Sequence, residues 1–371
     1  MKLASIIINN YNYGRFLNGS IDSALNQTHS NTEVIVVDDG STDNSREIIK
    51  SYERQIISVL KENGGQASSL NAGFSVSKGE VVIFLDSDDI LLPTAVERSI
   101  PFFNNPEVVK VHWPLSLIDE FGRKINTIDT NVSVPDGDFR EFVMRVGPNN
   151  VEWSAMSSNV WARKFLNNIF PIPEVLYKIG PDAYISELSH FYGIIKTTHE
   201  PQSLYRRHKN ADGINISFEE KLVRELKFYD NYSSIAKKYC EKMGFHVSIE
   251  TWKSNSWWYR LKLVKDEIEK LISQEEKFIL VDDLKLGINA IYRNRLIHFL
   301  ERNGQYWGVP RDDDEAIREL ERLRYAGAKF LVFAWSSFWW LDFYSKFNLY
   351  LRATFKCVSQ TNNMIVFDIK I

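Results

Sequence analysis

An acidic segment near residue 87 carries the strongest chemical signal in the sequence. Asp86, Asp88 and Asp89 directly follow the apolar run VVIFL. Carboxylates two residues apart at a strand end can reach one hard cation. Oxygen ligands of this kind suit Mg²⁺ or Mn²⁺, especially when substrate phosphates complete the shell. The alternative is that Asp88 or Asp89 caps a following helix. Three acids in four residues exceed what a cap needs, and without a counter-charge they repel one another.

A second acidic pair, Asp38 and Asp39, follows another apolar run and precedes Gly40 and Ser41. Asp and Gly are turn residues, and the next helix needs a cap, so a turn is one interpretation. The other is that one carboxylate accepts hydrogen bonds from the base or ribose of a nucleotide. The residues alone leave both interpretations open.

These acidic segments must be positioned by the elements around them. Apolar runs predict four strands, over residues 4–8, 33–37, 56–61 and 80–85. Helical spacing predicts the elements between them, over residues 15–27, 42–54 and 64–76. Strands that alternate with helices predict a parallel sheet with helices on both faces. Ligands of such sheets lie outside the carboxyl ends of the strands, so both acidic segments are expected at one edge.

The rest of the chain predicts two further parts. Helical periodicity dominates residues 218–274, and alternating strands and helices return from residue 278. We therefore predict an α/β fold in three parts: a first domain at 1–215, a helical connector at 216–275, and a small α/β domain at 276–371.

Composition excludes several classes of protein. The net charge of −3 lacks the basic footprint of a nucleic-acid-binding protein. The two cysteines, Cys240 and Cys357, cannot form a disulfide framework or a Cys-based zinc site. No apolar stretch approaches the roughly 18 residues of a membrane span, and the N-terminus lacks a signal-peptide pattern. These features fit a cytoplasmic protein.

Three segments follow one another in the first hundred residues: SIIINNYNYGRFLNGSIDSALNQT, EVIVVDDGSTDNS and ENGGQASSLNAGFSVSKGEVVIFLDSDDILLP. In order, spacing and strand context they resemble the nucleotide-binding half of family 2 glycosyltransferases. A weaker resemblance continues to about residue 212, through GPDAY and EPQSLYRRHKN. It implies the GT-A fold, a Rossmann-like and mostly parallel sheet between helices. Asn9 departs from the usual proline, and Pro181 from the usual acidic residue before the aspartate.

The resemblance also implies roles for residues on the donor side. Tyr11 and Asp39 would contact the nucleotide base. Asn71 would lie in the donor pocket. Asp86 would bind the ribose or support the metal. Asp88 would ligate a divalent cation, Mn²⁺ or Mg²⁺, that bridges the diphosphate.

Two more residues complete the predicted site. By the same resemblance, Asp182 matches the general base, and His208 would lie near the diphosphate or the metal. The base is needed because an acceptor hydroxyl is a weak nucleophile until a carboxylate takes its proton. A single carboxylate opposite the leaving group gives direct displacement with inversion. For Asp182 the alternative is helix capping, and Glu187 is the second candidate for the base.

The resulting hypothesis is an inverting, metal-dependent glycosyltransferase. It would move a sugar from a nucleotide-diphosphate donor to a hydroxyl of a glycan or lipid-linked glycan. A UDP-sugar is the expected donor. Surface polysaccharide or glycoconjugate synthesis is the expected pathway, without a nucleic-acid partner. Peripheral contact with the cytosolic membrane face and a homodimer stay open. One alternative is a non-catalytic glycan-binding or scaffold protein with a transferase-like domain. The other is a sugar nucleotidyltransferase.

The segment NGQYWGVPRDDDEAIRELERLRYAGAKFLVFAWSSFWWLDFY resembles a C-terminal module of bacterial glycosyltransferases. Its run of acids, 312–314, predicts a capped, salt-bridged helix rather than a metal site. Trp335, Trp339 and Trp340 predict core packing, with a stacking platform for sugars as the alternative.

Overall fold

The structure, a computed structural model, describes four stretches of the chain: residues 1–125, 134–208, 216–292 and 294–371. The chain divides into two compact units, residues 1–216 with 224–256 and residues 217–223 with 257–371. The predicted domain boundaries at residues 215 and 275 stay a prediction.

The first unit contains strands β1 (Ala4–Asn10), β2 (Thr32–Asp39), β3 (Ile57–Lys61), β4 (Val81–Asp86), β5 (Ile90–Leu91), β6 (Val108–His112), β7 (Ser116–Ile118), β8 (Gly137–Asp138), β9 (Asn159–Ala162), β10 (Ile194–Thr197) and β11 (Ser203–Arg206). Its helices are α1 (Gly14–Leu25), α2 (Ser45–Ser51), α3 (Gln66–Val76), α4 (Ala95–Ser99), α5 (Arg140–Val146), α6 (Arg163–Ile169), α7 (Pro181–Tyr192), most of α8 (Phe218–Lys242) and α9 (Ile249–Asn255).

The large sheet of this unit has the order β3-β2-β1-β4-β9-β6-β10-β8. Strands β3, β2, β1 and β4 are parallel, as are β6 and β10. Strand β9 runs antiparallel to both β4 and β6, and β8 is antiparallel to β10. The predicted α/β fold with a mostly parallel sheet is confirmed. Strand β9 and helix α6 are not predicted by the sequence pattern.

The parallel strands bring the acidic segments to one edge. In register, Asn9 of β1 pairs with Asp86 of β4, and Asn10 of β1 pairs with Asp38 of β2. The interiors of β1, β2 and β4 are almost fully buried, as expected for parallel strands covered on both faces. The prediction that both acidic segments share the carboxyl edge of the sheet is therefore confirmed.

The second unit contains strands β12 (Lys277–Val281), β13 (Leu296–His298), β14 (Glu301–Arg302), β15 (Gln305–Tyr306), β16 (Ala328–Ala334), β17 (Lys356–Gln360) and β18 (Met364–Asp368). Its helices are α10 (Trp257–Leu271), α11 (Asp313–Tyr325), α12 (Trp339–Phe343) and α13 (Ser345–Thr354). The main sheet has the order β13-β12-β16-β18-β17, with the first three strands parallel. Helical spacing over residues 339–351 predicts a single helix, but the chain forms α12 and α13 there.

The structure bears on two sequence interpretations within this unit. The Asp312 carboxylate accepts a hydrogen bond from the Glu315 backbone N–H over 2.7 Å, so the capped helix is confirmed. Trp340 is fully buried in the core, whereas Trp339 stays 40% exposed.

In the described part of the chain, no helix combines the length and apolarity needed to cross a membrane.

Candidate functional site

A cavity of about 470 Å³ lies at the carboxyl edge of β1, β2 and β4. Five of the predicted site residues line it: Tyr11, Asp39, Asp86, Asp88 and Asp182. The structure therefore brings together residues from the ends of two strands, from two loops and from the start of α7. Asn71 and His208 are outside this lining.

Asp86 is the last residue of β4, and two amides hold its carboxylate. Its Oδ1 accepts hydrogen bonds from Asn9 Nδ2 over 3.2 Å and from Gln66 Nε2 over 3.1 Å. Burial, together with the nearby charges of Asp88 and Asp182, raises the pKa of Asp86 to about 7. The site therefore concentrates negative charge that these two neutral amides cannot balance.

Asp88 is held by residues that are distant in the sequence. Its Oδ2 lies 2.9 Å from Nε2 of His208, whose ring is fully buried and packs against Phe16 and Tyr13. The backbone carbonyl of Asp88 also accepts a hydrogen bond from Arg206 Nε over 2.7 Å. The predicted residue His208 thus contacts the Asp88 carboxylate without lining the cavity.

Asp89 has a different role from its two neighbours. Its Oδ1 accepts a hydrogen bond from the Arg206 backbone N–H over 2.8 Å, and its side chain is buried. Burial, with the charges of Asp88 and Asp86, raises its pKa well above the usual value. Asp89 joins the acidic loop, residues 87–89 between β4 and β5, to β11, and it does not cap α4, which begins at Ala95.

These residues fit a divalent cation that takes some of its ligands from the protein and the rest from a substrate. Among the residues that the structure describes, no group of three or more His, Cys, Asp or Glu side chains gathers to hold a metal unaided. Asp88 and Asp86 offer carboxylate oxygens, the ligand type that Mn²⁺ and Mg²⁺ prefer, and substrate phosphates are the usual further ligands. Burial and the charges of Asp88 and Asp182 raise the pKa of Asp86, and a bound cation would oppose that shift.

Asp39 organises one wall of the cavity. Its Oδ1 accepts hydrogen bonds from Lys61 Nζ over 2.6 Å and from the Gly64 N–H over 3.0 Å, and its Oδ2 accepts one from the Gly65 N–H over 2.7 Å. The loop before α3 is thereby fixed, and Asn63 of this loop also lines the cavity. These contacts orient the Asp39 carboxylate at the cavity wall.

Asp38 is structural, in contrast to its neighbour. Its carboxylate accepts hydrogen bonds from Arg46 Nε over 2.8 Å, from Asn10 Nδ2 over 3.1 Å and from the Ser41 N–H over 3.1 Å. Burial alone would raise the pKa of Asp38, but these hydrogen bonds lower it. The turn interpretation therefore holds for Asp38, while Asp39 faces the cavity.

Asp182 is the second residue of α7. The helix follows Gly180, which has a φ of 76° in the left-handed region that favours glycine. Burial raises the pKa of Asp182 above its usual value, with the Glu225 charge adding to the effect, and hydrogen bonds from backbone N–H groups oppose it. The Asp182 carboxylate lines the cavity, and burial favours its protonated form relative to an exposed carboxylate.

Glu187, the second candidate for the base, is placed elsewhere. It is buried, lies outside the cavity lining, and accepts hydrogen bonds from the Asn149 N–H over 2.7 Å and from Trp153 Nε1 over 2.8 Å. The acceptor capacity of Glu187 is used to hold residues 149–153.

Asn71, predicted for the donor pocket, also lies elsewhere. Its amide forms two hydrogen bonds with the backbone of Ile172, accepting from the N–H over 2.8 Å and donating to the carbonyl over 2.9 Å. The reason is geometric: α3 presents Gln66 and Ser69 to the cavity and Asn71 to the 172–174 segment.

Several lining residues are not predicted by the sequence pattern. They are Asn63, Gln66, Ser69, Met156, Lys178, Ile179 and Tyr205. Most lie in loops or at helix starts, where no periodicity marks a side chain as facing a cavity. The Gly64-Gly65 pair before Gln66 was the available hint, since it allows close approach of the backbone.

Residues 5–153 match the family model for glycosyl transferase family 2. This part of the chain is a family 2 glycosyltransferase domain. The match covers four cavity residues of the predicted site: Tyr11, Asp39, Asp86 and Asp88. Asp182 and His208 lie beyond the matched segment, so their place in the site depends on the geometry described above.

Relatives of the family 2 domain carry glycosyltransferase names. An uncharacterized glycosyltransferase of Nostoc sp. is 38% identical over 212 residues, covering 56% of this chain and 65% of that protein. One of Rickettsia prowazekii is 42% identical over 121 residues, covering 32% of this chain and 38% of that protein. The chain thus spans about two thirds or less of these curated relatives.

Among solved structures, TarS 1–349 of S. aureus in complex with UDP-GlcNAc is similar to this chain. The two are 15% identical with a TM-score of 0.47, and the match covers 78% of this chain and 88% of that one.

Proposed function

We propose that this chain is an inverting, metal-dependent glycosyltransferase that transfers a sugar from a nucleotide-diphosphate donor to a hydroxyl acceptor. The favoured donor is a UDP-sugar. One observation carries the proposal. Asp86, Asp88 and Asp182 line the same cavity within a unit that contains a family 2 domain.

The acidic loop would bind the donor. A divalent cation held by Asp88, with Asp86 beside it, would neutralise the diphosphate and make it a better leaving group. His208 would keep the Asp88 carboxylate oriented, since their hydrogen bond is 2.9 Å long. Tyr11 and Asp39 would contact the base at the ends of β1 and β2. A cavity of about 470 Å³ is in the size range of small-molecule sites.

Asp182 would take the proton of the acceptor. As the acceptor oxygen bonds to the anomeric carbon, its proton moves to the Asp182 carboxylate. The bond from the anomeric carbon to the phosphate oxygen breaks, and its electrons stay with the nucleoside diphosphate. Attack on the face opposite the leaving group inverts the anomeric centre. No protein acid is needed, because the leaving group departs as an anion.

The acceptor and the pathway are inferred from the family alone. We place the acceptor among glycans or lipid-linked glycans of surface polysaccharide or glycoconjugate synthesis, handled peripherally at the cytosolic membrane face. A glycan-binding scaffold is the less favoured function, because buried carboxylates without a ligand destabilise a fold. A nucleotidyltransferase is also less favoured, since Asn9 to Asn12 lack its Gly-rich, Arg-containing loop.

A donor screen tests the proposal. Purified protein is incubated with UDP- and GDP-sugars and Mn²⁺, and release of UDP or GDP is measured. We expect slow hydrolysis of at least one donor, abolished by EDTA and strongly reduced in Asp88→Asn. Asp22→Asn is the matched control, because the Asp22 carboxylate accepts a hydrogen bond from Tyr52 on the exposed surface, away from the cavity. Equal UDP affinity with and without Mn²⁺ would contradict the metal role.

A further inference from the structure

Gln66, the first residue of α3, joins two walls of the cavity with one side chain. Its Nε2 donates a hydrogen bond to Asp86 Oδ1 over 3.1 Å, and its Oε1 accepts one from the Gly180 N–H over 3.3 Å. Asp86 is the last residue of β4, and Gly180 directly precedes α7, the helix that carries Asp182. The Gln66 amide therefore connects the Asp86 carboxylate to the start of α7, the helix that carries Asp182.

Main-chain contacts place Gln66 for this role. The backbone N–H of Gln66 donates to the Lys178 carbonyl over 2.8 Å, and that of Ala67 donates to the Tyr177 carbonyl over 3.3 Å. Gly65 has a φ of 92°, and a Cβ there would lie only 3.0 Å from Lys178 Cα. These contacts do not involve the Gln66 side chain, so a substitution of that side chain leaves them in place.

The position of Gly180 determines the position of Asp182. A Cβ at Gly180 would lie 3.7 Å from Asp182 Oδ1, and the Gly180 N–H lies before the first turn of α7, where backbone donors have no partner within the helix. The side-chain carbonyl oxygen of Gln66 supplies that partner. A displacement of Gly180 would therefore displace the Asp182 carboxylate as well.

Asp86 does not depend on Gln66 alone. Its Oδ1 also accepts a hydrogen bond from Asn9 Nδ2 over 3.2 Å. If the Gln66 amide is lost, Asp86 keeps one amide donor, whereas the Gly180 N–H loses its side-chain acceptor. Loss of the Gln66 amide should thus displace mainly the start of α7, which carries Asp182.

We propose that Gln66 is a positioning residue for transfer, which sets the distance between Asp86 and Asp182 and so places the base against the anomeric carbon of the bound donor. This inference rests on the function proposed above. Displacement of a reacting group by about 1 Å can lower a rate on the order of 100-fold, so a link between the two carboxylates would be visible in turnover.

Two variants of Gln66 and one control test the proposal. Gln66→Met keeps the length of the side chain and removes both hydrogen bonds, and Gln66→Asn keeps an amide that is too short to span both partners. Gln27→Met is the control, because the Gln27 amide also joins separate segments outside the cavity: it donates to the Ser23 and Leu92 carbonyls and accepts from the Val96 N–H. Melting temperature, the Kd of UDP with Mn²⁺, and hydrolysis of saturating UDP-sugar with water as the acceptor are measured for each.

We expect both Gln66 variants to fold, to bind UDP within about 3-fold of wild type, and to lose about 10–100-fold in kcat. Gln27→Met should lose comparable thermal stability and keep its kcat. If kcat stays within about 3-fold in a folded Gln66 variant, the proposal is wrong. It is also wrong if UDP affinity falls as much as kcat, since Gln66 would then be a donor-binding residue. A wild-type protein that binds UDP but hydrolyses none of the UDP- or GDP-sugars would instead overturn the proposed function.

Discussion

The Nε2 atom of His208 lies 2.9 Å from Oδ2 of Asp88, although 120 residues separate the two along the chain. The His208 ring is fully buried, while the Asp88 side chain retains 18% of its exposure toward the cavity. A ring in this position fixes which way the carboxylate points. It would therefore act on a bound cation through Asp88.

His208→Ala should weaken cation-dependent nucleotide binding. Loss of a partner behind a metal ligand typically costs about 10–100-fold in metal affinity, so the Kd of UDP with Mn²⁺ should rise about 10-fold or more. His208→Gln, which can still donate a hydrogen bond, should recover part of the loss. Calorimetry with and without Mn²⁺ measures both effects. His29→Ala is the control, because the His29 ring bonds to the Lys2 carbonyl and lies outside the cavity lining. An equal loss in the two alanine variants would argue against the link to Asp88.

Asp182→Asn should abolish most turnover without loss of donor binding. Removal of a general base typically lowers the rate by about 10²–10⁴-fold. Because burial raises the pKa of Asp182, the wild-type rate should already decline on acidification at a pH above 3.8, the ordinary pKa of this carboxyl. The variant should lack this decline. The pH profile of kcat measures both.

Glu187→Gln is the matched control on the same helix. It removes a buried carboxylate that holds Asn149 and Trp153, so it should lower the melting temperature and leave kcat nearly unchanged. If the rate depends on Glu187 and not on Asp182, the assignment of the base is wrong.

Lys110→Met should stabilise the first unit, most strongly near neutral pH. Lys110 lies on β6, is fully buried, and its Nζ has no hydrogen-bond partner in the described residues, with the Trp161 ring 5.0 Å away. Burial lowers its pKa from 10.5 to about 7, although the charges of Glu187 and Asp182 oppose the shift.

The direction of this pH dependence follows from proton binding. Between about pH 7 and 10.5 the unfolded chain binds this proton and the folded chain does not, so the stability of the wild type rises with pH in that window. The gain from Lys110→Met should be on the order of 2–4 kcal/mol at pH 6–7 and should shrink by pH 10. Urea unfolding at several pH values measures it, with the exposed Lys50→Met as control. A gain that does not change with pH would contradict the explanation.

A fragment of residues 1–256 should fold and bind UDP, whereas residues 1–217 should be unstable. Phe228 of α8 packs on Tyr177 with ring centroids 4.5 Å apart, and the Trp252 Nε1 donates to the Met144 carbonyl over 2.9 Å. Each buried aromatic contributes about 1.5–3 kcal/mol, so the shorter fragment loses several such contributions. Circular dichroism and UDP titration compare the two. A stable, UDP-binding fragment 1–217 would show that α8 and α9 are dispensable.

Local signals in the sequence were enough to locate the parallel strands and the residues at their ends. Apolar runs such as those in β1 and β4 are signals of this kind, and a polar residue directly after a strand must lie at its carboxyl edge. The positions of Asp39, Asp86 and Asp88 at that edge therefore follow from local patterns alone. The resemblance to a family supplied the proposed role of Asp182, which lies at the start of an equally local helix signal.

Which side chains meet depends instead on packing between distant segments. On α3, a difference of five residues turns a side chain by about 140°, so Gln66 faces the cavity while Asn71 bonds to Ile172. Periodicity shows that two residues share a face, but it does not show what that face contacts. The contacts of His208 with Asp88 and of Gln66 with Gly180 join segments more than 100 residues apart. They exist because the whole unit packs around the sheet, and no local pattern in the sequence encodes them.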